Sequence, residues 1–287
     1  MRKGILLLGG LGKRFLPATS IINKHLIPII DRPIFHFSLS TLMLAGINTI
    51  NIVSNKETLT LIKKSLGSGK DLGLNLSYTV QKEARGIPEG ILLNKKFIGK
   101  SKFALMLGDN FFYSSDLAQK LSKISETAKN NLITYRVSNP SEFGVLLEKK
   151  RKLIKIIEKP KKFYSDLVVT GLYFYENDVL DLLKYLKPSA RNELEITDFN
   201  NLINKKKKLN HVELGRGSVW LDSGTPENQL KTSEFVRIIE ERTNKKIGLL
   251  EEVAYQKKMI DKKALKKIIK NSKNSQSNIA YLKKLIK

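Results

Sequence analysis

The sequence predicts an α/β protein: a mostly parallel central sheet flanked by helices, followed by a helical C-terminal extension. Three observations carry this. Short apolar runs alternate with helix-period segments up to about residue 110, the rhythm of strand–helix–strand units covered on both faces. Two of those runs end directly in glycine, at Gly9–Gly10 and at Gly108. Beyond residue 243 the pattern is amphipathic and helical, with no strand signal.

In chain order, residues 5–8 read as the first strand. Residues 33–45 read as a helix with Pro33 in its first turn and Gly46 beyond its end. Strands follow at 49–54, 74–80 and 103–107, separated by helices at 57–66 and 88–96. The middle is richer in strands, at 132–137, 144–148, 153–158 and 168–175, before helices at 177–186 and 196–207. Thr225–Pro226 is a side-chain cap followed by a first-turn proline, opening a helix to about Thr243. Three further helices are expected at 251–258, 261–270 and 279–286. There is no internal repeat and no long Pro/Gly linker. Residues 1–243 therefore read as one domain and 244–287 as its extension.

The 287 residues carry a net charge of +25 and no cysteine. Disulfides, thiolate zinc sites and a cysteine nucleophile are excluded at once. No apolar run approaches the ~18 residues of a transmembrane helix, and the N-terminus lacks a small-residue cleavage signature, so a cytoplasmic protein with no membrane partner is expected. Only ten of the basic residues are arginine. A duplex-binding surface leans on arginine forks, so no specific nucleic-acid partner is expected. Most of the lysine, including Lys205–Lys208, reads as solvated surface whose field draws in polyanionic nucleotides.

The strongest local signal is Leu8-Gly9-Gly10-Leu11-Gly12-Lys13-Arg14-Phe15-Leu16-Pro17, directly after the first strand. Glycines free the backbone to turn N–H groups towards an anion, and Arg14 adds a fork matched to phosphate oxygens. The dinucleotide fingerprint fails because Phe15 stands where its third glycine belongs. The Walker pattern fails because Arg14 follows Lys13 where Ser or Thr is required. A tight turn with basic neighbours is the competing reading. Lys24 is a second candidate cation. His25 has no histidine or cysteine companion nearby, which argues against a histidine metal cluster.

Asp109 ends one apolar strand and Asp222 ends another apolar segment far along the chain. If they converge, the two make an oxygen site for Mg²⁺, which takes one or two carboxylates plus substrate phosphates. The alternative is that each simply caps a turn. Glu158-Lys159-Pro160 offers an acid for a sugar hydroxyl and a base for a phosphate, and Arg191 is a further phosphate contact. No G-x-S-x-G elbow and no H-E-x-x-H occurs, so covalent acyl chemistry and zinc hydrolysis have no support.

Taken in order, GGLGKRFLP, NKHLIP, LGDN, FGV, EKP, VTGLYFY, PSARNELEITD, WLDSGT and GLLEEVAYQKKMID resemble the sugar-1-phosphate nucleotidyltransferases over nearly the whole chain, and within them the thymidylyl-transferring group. The resemblance implies a Rossmann-like nucleotidyltransferase fold. It implies transfer of dTMP from dTTP to glucose 1-phosphate, with release of pyrophosphate, dependence on Mg²⁺ and no covalent enzyme intermediate. By motif, Leu8, Gly9, Gly10 and Gly12 would hold the nucleotide, Arg14 and Lys24 would neutralise the transferring phosphate, and Gln81 and Gly86 would read the thymine. Asp109 and Asp222 would bind the metal. Gly144, Glu158 and Val169 would contact the glucose, while Lys159 and Arg191 would hold its phosphate. The smaller members are homotetramers with a second nucleotide site at a subunit interface, for which Arg216 is the candidate here.

Three departures stand out: His25 for glutamine, Ile87-Pro88-Glu89-Gly90 for a Leu-Ala-Gln-Ala type segment, and Asn192 for glycine. Residues 14–19 also resemble the UTP–glucose-1-phosphate uridylyltransferases, which is the alternative enzyme. A catalytically silent nucleic-acid-binding homologue is the alternative of another class.

Overall fold

A computed structural model describes residues 2–10, 12–150, 152–271 and 274–286. The elements run β1 (Lys3–Leu7), β2 (Pro28–Ile29), β3 (Arg32–Pro33), α1 (Ile34–Leu44), β4 (Thr49–Ser54), α2 (Lys56–Leu66), β5 (Asn75–Val80), α3 (Ile87–Leu93), α4 (Lys95–Ile98) and β6 (Phe103–Leu107). They continue with β7 (Asn110–Tyr113), α5 (Leu117–Glu126), β8 (Asn130–Arg136), β9 (Gly144–Lys149), β10 (Lys152–Glu158), β11 (Leu167–Tyr175), a 3₁₀ segment (Asn177–Tyr185), α6 (Ile196–Lys206), β12 (Leu209–Glu213), β13 (Val219–Asp222), α7 (Pro226–Thr243), α8 (Leu250–Gln256), α9 (Lys262–Asn271) and α10 (Gln276–Leu285).

The parallel sheet of the sequence reading forms the centre: β5, β4, β1 and β6 lie side by side, all parallel. Next to β6 the direction reverses. β11 pairs antiparallel with β6, β8 and β9, and β10 completes that flank. The apolar runs of β1 and β6 are buried along nearly their whole length, as strands covered on both faces must be. Leu6, Leu8, Ile50, Ile52 and Met106 face one core, shared with α1 and α5. Ile5, Leu7, Val53 and Leu105 face the other, shared with α3 and α6. This is the two-sided alternation of a sheet.

The helices α8, α9 and α10 pack back onto the first core: Leu250, Val253, Leu265 and Leu282 join it with Phe35 and Leu39 of α1. No helix among the described residues is long and apolar enough to cross a membrane.

Some elements differ from the sequence reading. The helix expected at 88–96 breaks at Asn94, whose side chain donates to the Gly90 carbonyl at 2.8 Å and diverts the chain. Pro33 caps α1 from outside rather than sitting in its first turn. The sequence reading has no element for β7, β12 or α5. β12 alternates too weakly to signal itself, and its pairing with β8 is what makes it a strand.

Arg2 is 3% exposed and clamps the N-terminus. Its guanidinium donates to the carbonyls of Ser125, Phe103, Tyr175 and Thr127 and pairs with Glu176. Replacing it with methionine fills similar volume but strips several buried carbonyls of their donor. Arg2→Met is expected to lower unfolding free energy by about 2–4 kcal/mol, read in urea denaturation.

Candidate active site

The glycine turn leaves the end of β1. The Leu8 N–H donates to the Val53 carbonyl at 2.8 Å, and the Leu8 carbonyl accepts from Ser54 Oγ at 2.7 Å. The Leu8 side chain itself is buried in the core. Gly10 and Gly12 have φ of 104° and 58°, a region that disfavours side chains. Gly9 makes room for a side chain instead: a Cβ there would lie 2.6 Å from Gln81 Oε1, which would have to move. Leu11 lies outside the described residues. Arg14 is exposed, and its charge reaches Lys24 and Asp222.

The two aspartates do converge. β13 pairs antiparallel with β7 in a register that sets Asp222 opposite Asn110. The Ser223 N–H then donates to the Asp109 carbonyl at 2.9 Å. Asn110 is the hub of this joint. Its Oδ1 accepts from the Gly171 N–H at 2.9 Å and from Trp220 Nε1 at 2.7 Å, while its Nδ2 donates to Asp109 Oδ1 at 3.0 Å. Lys24 Nζ donates to the other oxygen, Asp109 Oδ2.

The charges respond accordingly. Burial works against both members of the pair. Even so, Lys24 holds the Asp109 carboxyl well below the usual range, and Asp109 with Asp222 holds the Lys24 ammonium above its usual pKa. Asp222 is the odd charge out: burial and then the Asp109 carboxylate push it up to about 7. Two carboxylates thus share one lysine, a donor set of hard oxygens that suits a divalent cation. No cluster of three or more His, Cys, Asp or Glu side chains fit to hold a metal occurs among the described residues.

His25 is buried at 2% exposure. Its Nδ1 lies 2.7 Å from Asn23 Oδ1, and its backbone N–H donates to the same oxygen at 2.9 Å. Burial and then the Lys24 charge push the imidazole down to about 3, so it is neutral.

The sugar-side residues assemble on the antiparallel flank. Pairing of β9 with β10 sets Glu158 opposite Gly144, and Thr197 Oγ1 donates to Glu158 Oε2 at 2.5 Å. The Val168–Val145 pairing carries Val169 to the same end. Lys159 is exposed with φ of 41°, its N–H held by the Phe143 carbonyl at 3.0 Å. Arg191 pairs with Glu195 at 3.0 and 2.9 Å while remaining about half exposed. Tyr173 lies between the halves: its phenol is held protonated by burial, then by the charges of Glu158 and Asp109.

Two loops are strapped together at Gly86. A parallel bridge joins it to Leu194, and the Leu194 N–H donates to the Arg85 carbonyl at 2.9 Å. A Cβ on Gly86 would fall 2.0 Å from the Leu194 carbonyl oxygen, at a φ of 99°. Asn192 has φ of 57°. That is the left-handed region, where asparagine is the best substitute for glycine, which accounts for this departure.

The result is a cleft of about 230 Å³ walled by Gly9, Gly10, Lys24, Gln81, Gly86 and Asp109. Leu8, Gly12, Arg14 and Asp222 are not on that wall, Asp222 standing behind Asp109, and neither are Gly144, Glu158, Lys159, Val169 and Arg191. Arg216 lies on an exposed turn between β12 and β13, away from the cleft. The sequence reading gave no role to Asn110 or Ser223, and it noted Glu89 only as part of a departure from the family pattern. Asn110 and Ser223 were visible only as neighbours of the two aspartates.

A family model described as nucleotidyl transferase matches residues 3–238. The chain belongs to that family, in its glucose-1-phosphate thymidylyltransferase branch. It is 38% identical over 99% of both chains to the glucose-1-phosphate thymidylyltransferase of Neisseria meningitidis serogroup A. It is also similar to a crystal structure of a Bacillus anthracis chain assigned as a glucose-1-phosphate thymidylyltransferase. That match has a TM-score of 0.75 and 35% identity, covering 83% of this chain and 96% of the other. A UDP-glucose pyrophosphorylase complexed with UDP-glucose matches with TM-score 0.72 and 26% identity, covering 83% of this chain and 99% of that one.

The buried neutral histidine makes a pH prediction. An unfolded chain carries His25 near its ordinary value of 6.5, whereas the folded value is about 3. The unfolded state therefore binds more protons between those values, and this contribution to stability is present above pH 6.5 and lost as pH falls towards 3. His25→Gln should show a shallower fall in melting temperature on acidification than the wild type.

Proposed function

We infer that this chain is a glucose-1-phosphate thymidylyltransferase. One observation carries the reading beyond the resemblance: Asp109 and Asp222, 113 residues apart in sequence, meet through β7 and β13 at the edge of a cleft floored by the glycine turn. A sugar-phosphate oxygen attacks the α-phosphorus of the nucleotide, the bond to the β-phosphate breaks, and pyrophosphate leaves with that electron pair. Phosphoryl-type transfer asks the protein mainly for positioning and countercharge. Three groups supply it. Lys24 stays protonated beside the acidic pair, Arg14 stands at the mouth, and Lys159 with Arg191 offers the sugar phosphate a cationic seat. Gly144, Glu158 and Val169 face the sugar hydroxyls, and Glu158 is steadied by Thr197. Gln81 and Gly86 meet the base.

Asp109 and Asp222 are the residues that would hold Mg²⁺. Each carboxylate keeps lone pairs free after its recorded hydrogen bonds, and together they carry more negative charge than Lys24 alone offsets. Bound there, the ion would add countercharge to the phosphate oxygens, a contribution of several kcal/mol in such sites.

We also infer a homotetramer, as the resemblance implies. In support, α7 leaves Leu230 and Ile238 62% and 49% exposed.

The identity to thymidylyltransferases exceeds that to the uridylyl enzyme, and that favours dTTP over UTP. Pyrophosphate release, with dTTP and UTP crossed against glucose, galactose and mannose 1-phosphates, tests the assignment. The pair dTTP and glucose 1-phosphate should give the highest kcat/KM. A preference for UTP would move the chain to the alternative enzyme. No release with any pair, together with tight, steeply salt-dependent duplex DNA binding, would favour the silent homologue.

Asp109→Asn and Asp222→Asn should each lower kcat by roughly a hundredfold or more with the fold retained; Asp109→Asn, which leaves Lys24 without its paired carboxylate, should also lower the melting temperature. Near-normal turnover at low Mg²⁺ would count against the metal role. Lys159→Ala should raise KM for glucose 1-phosphate. A change confined to dTTP would remove that lysine from the sugar-phosphate seat.

A further inference from the structure

We propose that Glu89 is a positioning residue. It locks the Gln81 side-chain amide so that the cleft presents a carbonyl acceptor, and it thereby selects bases with an imide N–H, thymine and uracil, over cytosine. The proposal deepens the thymidylyltransferase reading and rests on it.

Glu89 lies in the first turn of α3. Its Oε2 accepts from Gln81 Nε2 at 2.6 Å and from the Arg85 N–H at 3.1 Å. An amide has a donor edge and an acceptor edge. Only the donor edge can face a carboxylate oxygen at that distance; the flipped amide would set two acceptors against each other. Gln81 Oε1 is therefore turned away from Glu89. It lies over the glycine turn, where a Cβ on Gly9 would come within 2.6 Å of it. Gln81 is 9% exposed and forms part of the cleft wall.

A carbonyl acceptor there pairs with the N3–H of thymine or uracil. Cytosine offers an unprotonated N3, so two lone pairs would face each other. A site built to bond a donor rejects an analogue that lacks it, because its own buried group is left unpaired. The residue type at 89 decides how firmly the amide is held. A carboxylate only accepts, so it permits one orientation of Gln81. A glutamine at 89 either accepts or donates, so it permits both. Glu89 also secures the loop through Arg85, so a purely structural role is the competing account. Base selectivity separates the two.

The experiment compares wild type, Glu89→Gln and Glu89→Leu for pyrophosphate release from dTTP and from dCTP at saturating glucose 1-phosphate. Glu89→Leu should lower the ratio of kcat/KM for dTTP to that for dCTP by about tenfold or more, with KM for glucose 1-phosphate unchanged. Glu89→Gln should fall between it and wild type. An unchanged ratio in Glu89→Leu, or equal losses with both nucleotides, overturns the proposal. Should Glu89→Leu fail to fold, Glu89→Asp keeps the charge at the start of α3 but withdraws the carboxylate by one methylene, and the same ratio is read from it. Calorimetric dissociation constants for dTDP and dCDP give the ratio without turnover. Failure of the parent reading appears as no pyrophosphate release by wild type, while failure of the Glu89 assignment appears as an unchanged dTDP to dCDP ratio.

Discussion

Everything at this site depends on holding two carboxylates together beside a single lysine. Like charges repel, and burial strengthens the repulsion. The fold forces them together through backbone bonds that lie outside the carboxylates: the β7–β13 ladder, the Ser223 N–H on the Asp109 carbonyl, and Asn110 bonded at once to β11, to Trp220 and to Asp109. The strain appears as charge. Asp109 is kept ionised by Lys24, and Asp222 bears the cost of the second negative charge. Such an arrangement is poorly balanced by itself, and its hard oxygens are of the kind that suits a divalent cation.

The same logic of backbone constraint governs the cleft walls. The base-side loop and the sugar-phosphate loop touch at Gly86, where no side chain fits against the Leu194 carbonyl. The bridge between Gly86 and Leu194 fixes the position of one loop against the other. On the opposite wall Gly9 lets Gln81 approach the turn closely, while Glu89 fixes which edge of its amide is presented. Tyr173, buried on β11, stays protonated first because of that burial and then because its charged neighbours Glu158 and Asp109 are acidic.

The departures noted in the sequence acquire physical reasons in the structure. Asn192 occupies a left-handed position that asparagine tolerates. His25 is a neutral side chain packed against the Asn23 carbonyl oxygen, so it adds no charge beside Lys24. Glu89 exchanges a side chain of two hydrogen-bonding senses for one that only accepts. The C-terminal helices add to the same core as α1 rather than forming a separate body, with Leu250, Val253 and Leu282 buried against it.

Strand and helix periodicity, the glycine turn and the cap of α7 were legible because they are local: they depend on neighbours three or four residues away. Thr225, for example, caps α7 by accepting from the Asn228 N–H, as its position before Pro226 foretold. The order of motifs was enough to place the chain in its family. Convergence was not legible. Asp109 and Asp222 are joined by a long-range ladder, β12 becomes a strand only beside β8, and Glu89 touches Gln81 only because a turn folds between them. The sequence by itself determined the local elements and the chemical types available. Tertiary structure alone decided which of those types face each other, because register and loop contact are set by packing across the chain and leave no periodic trace along it.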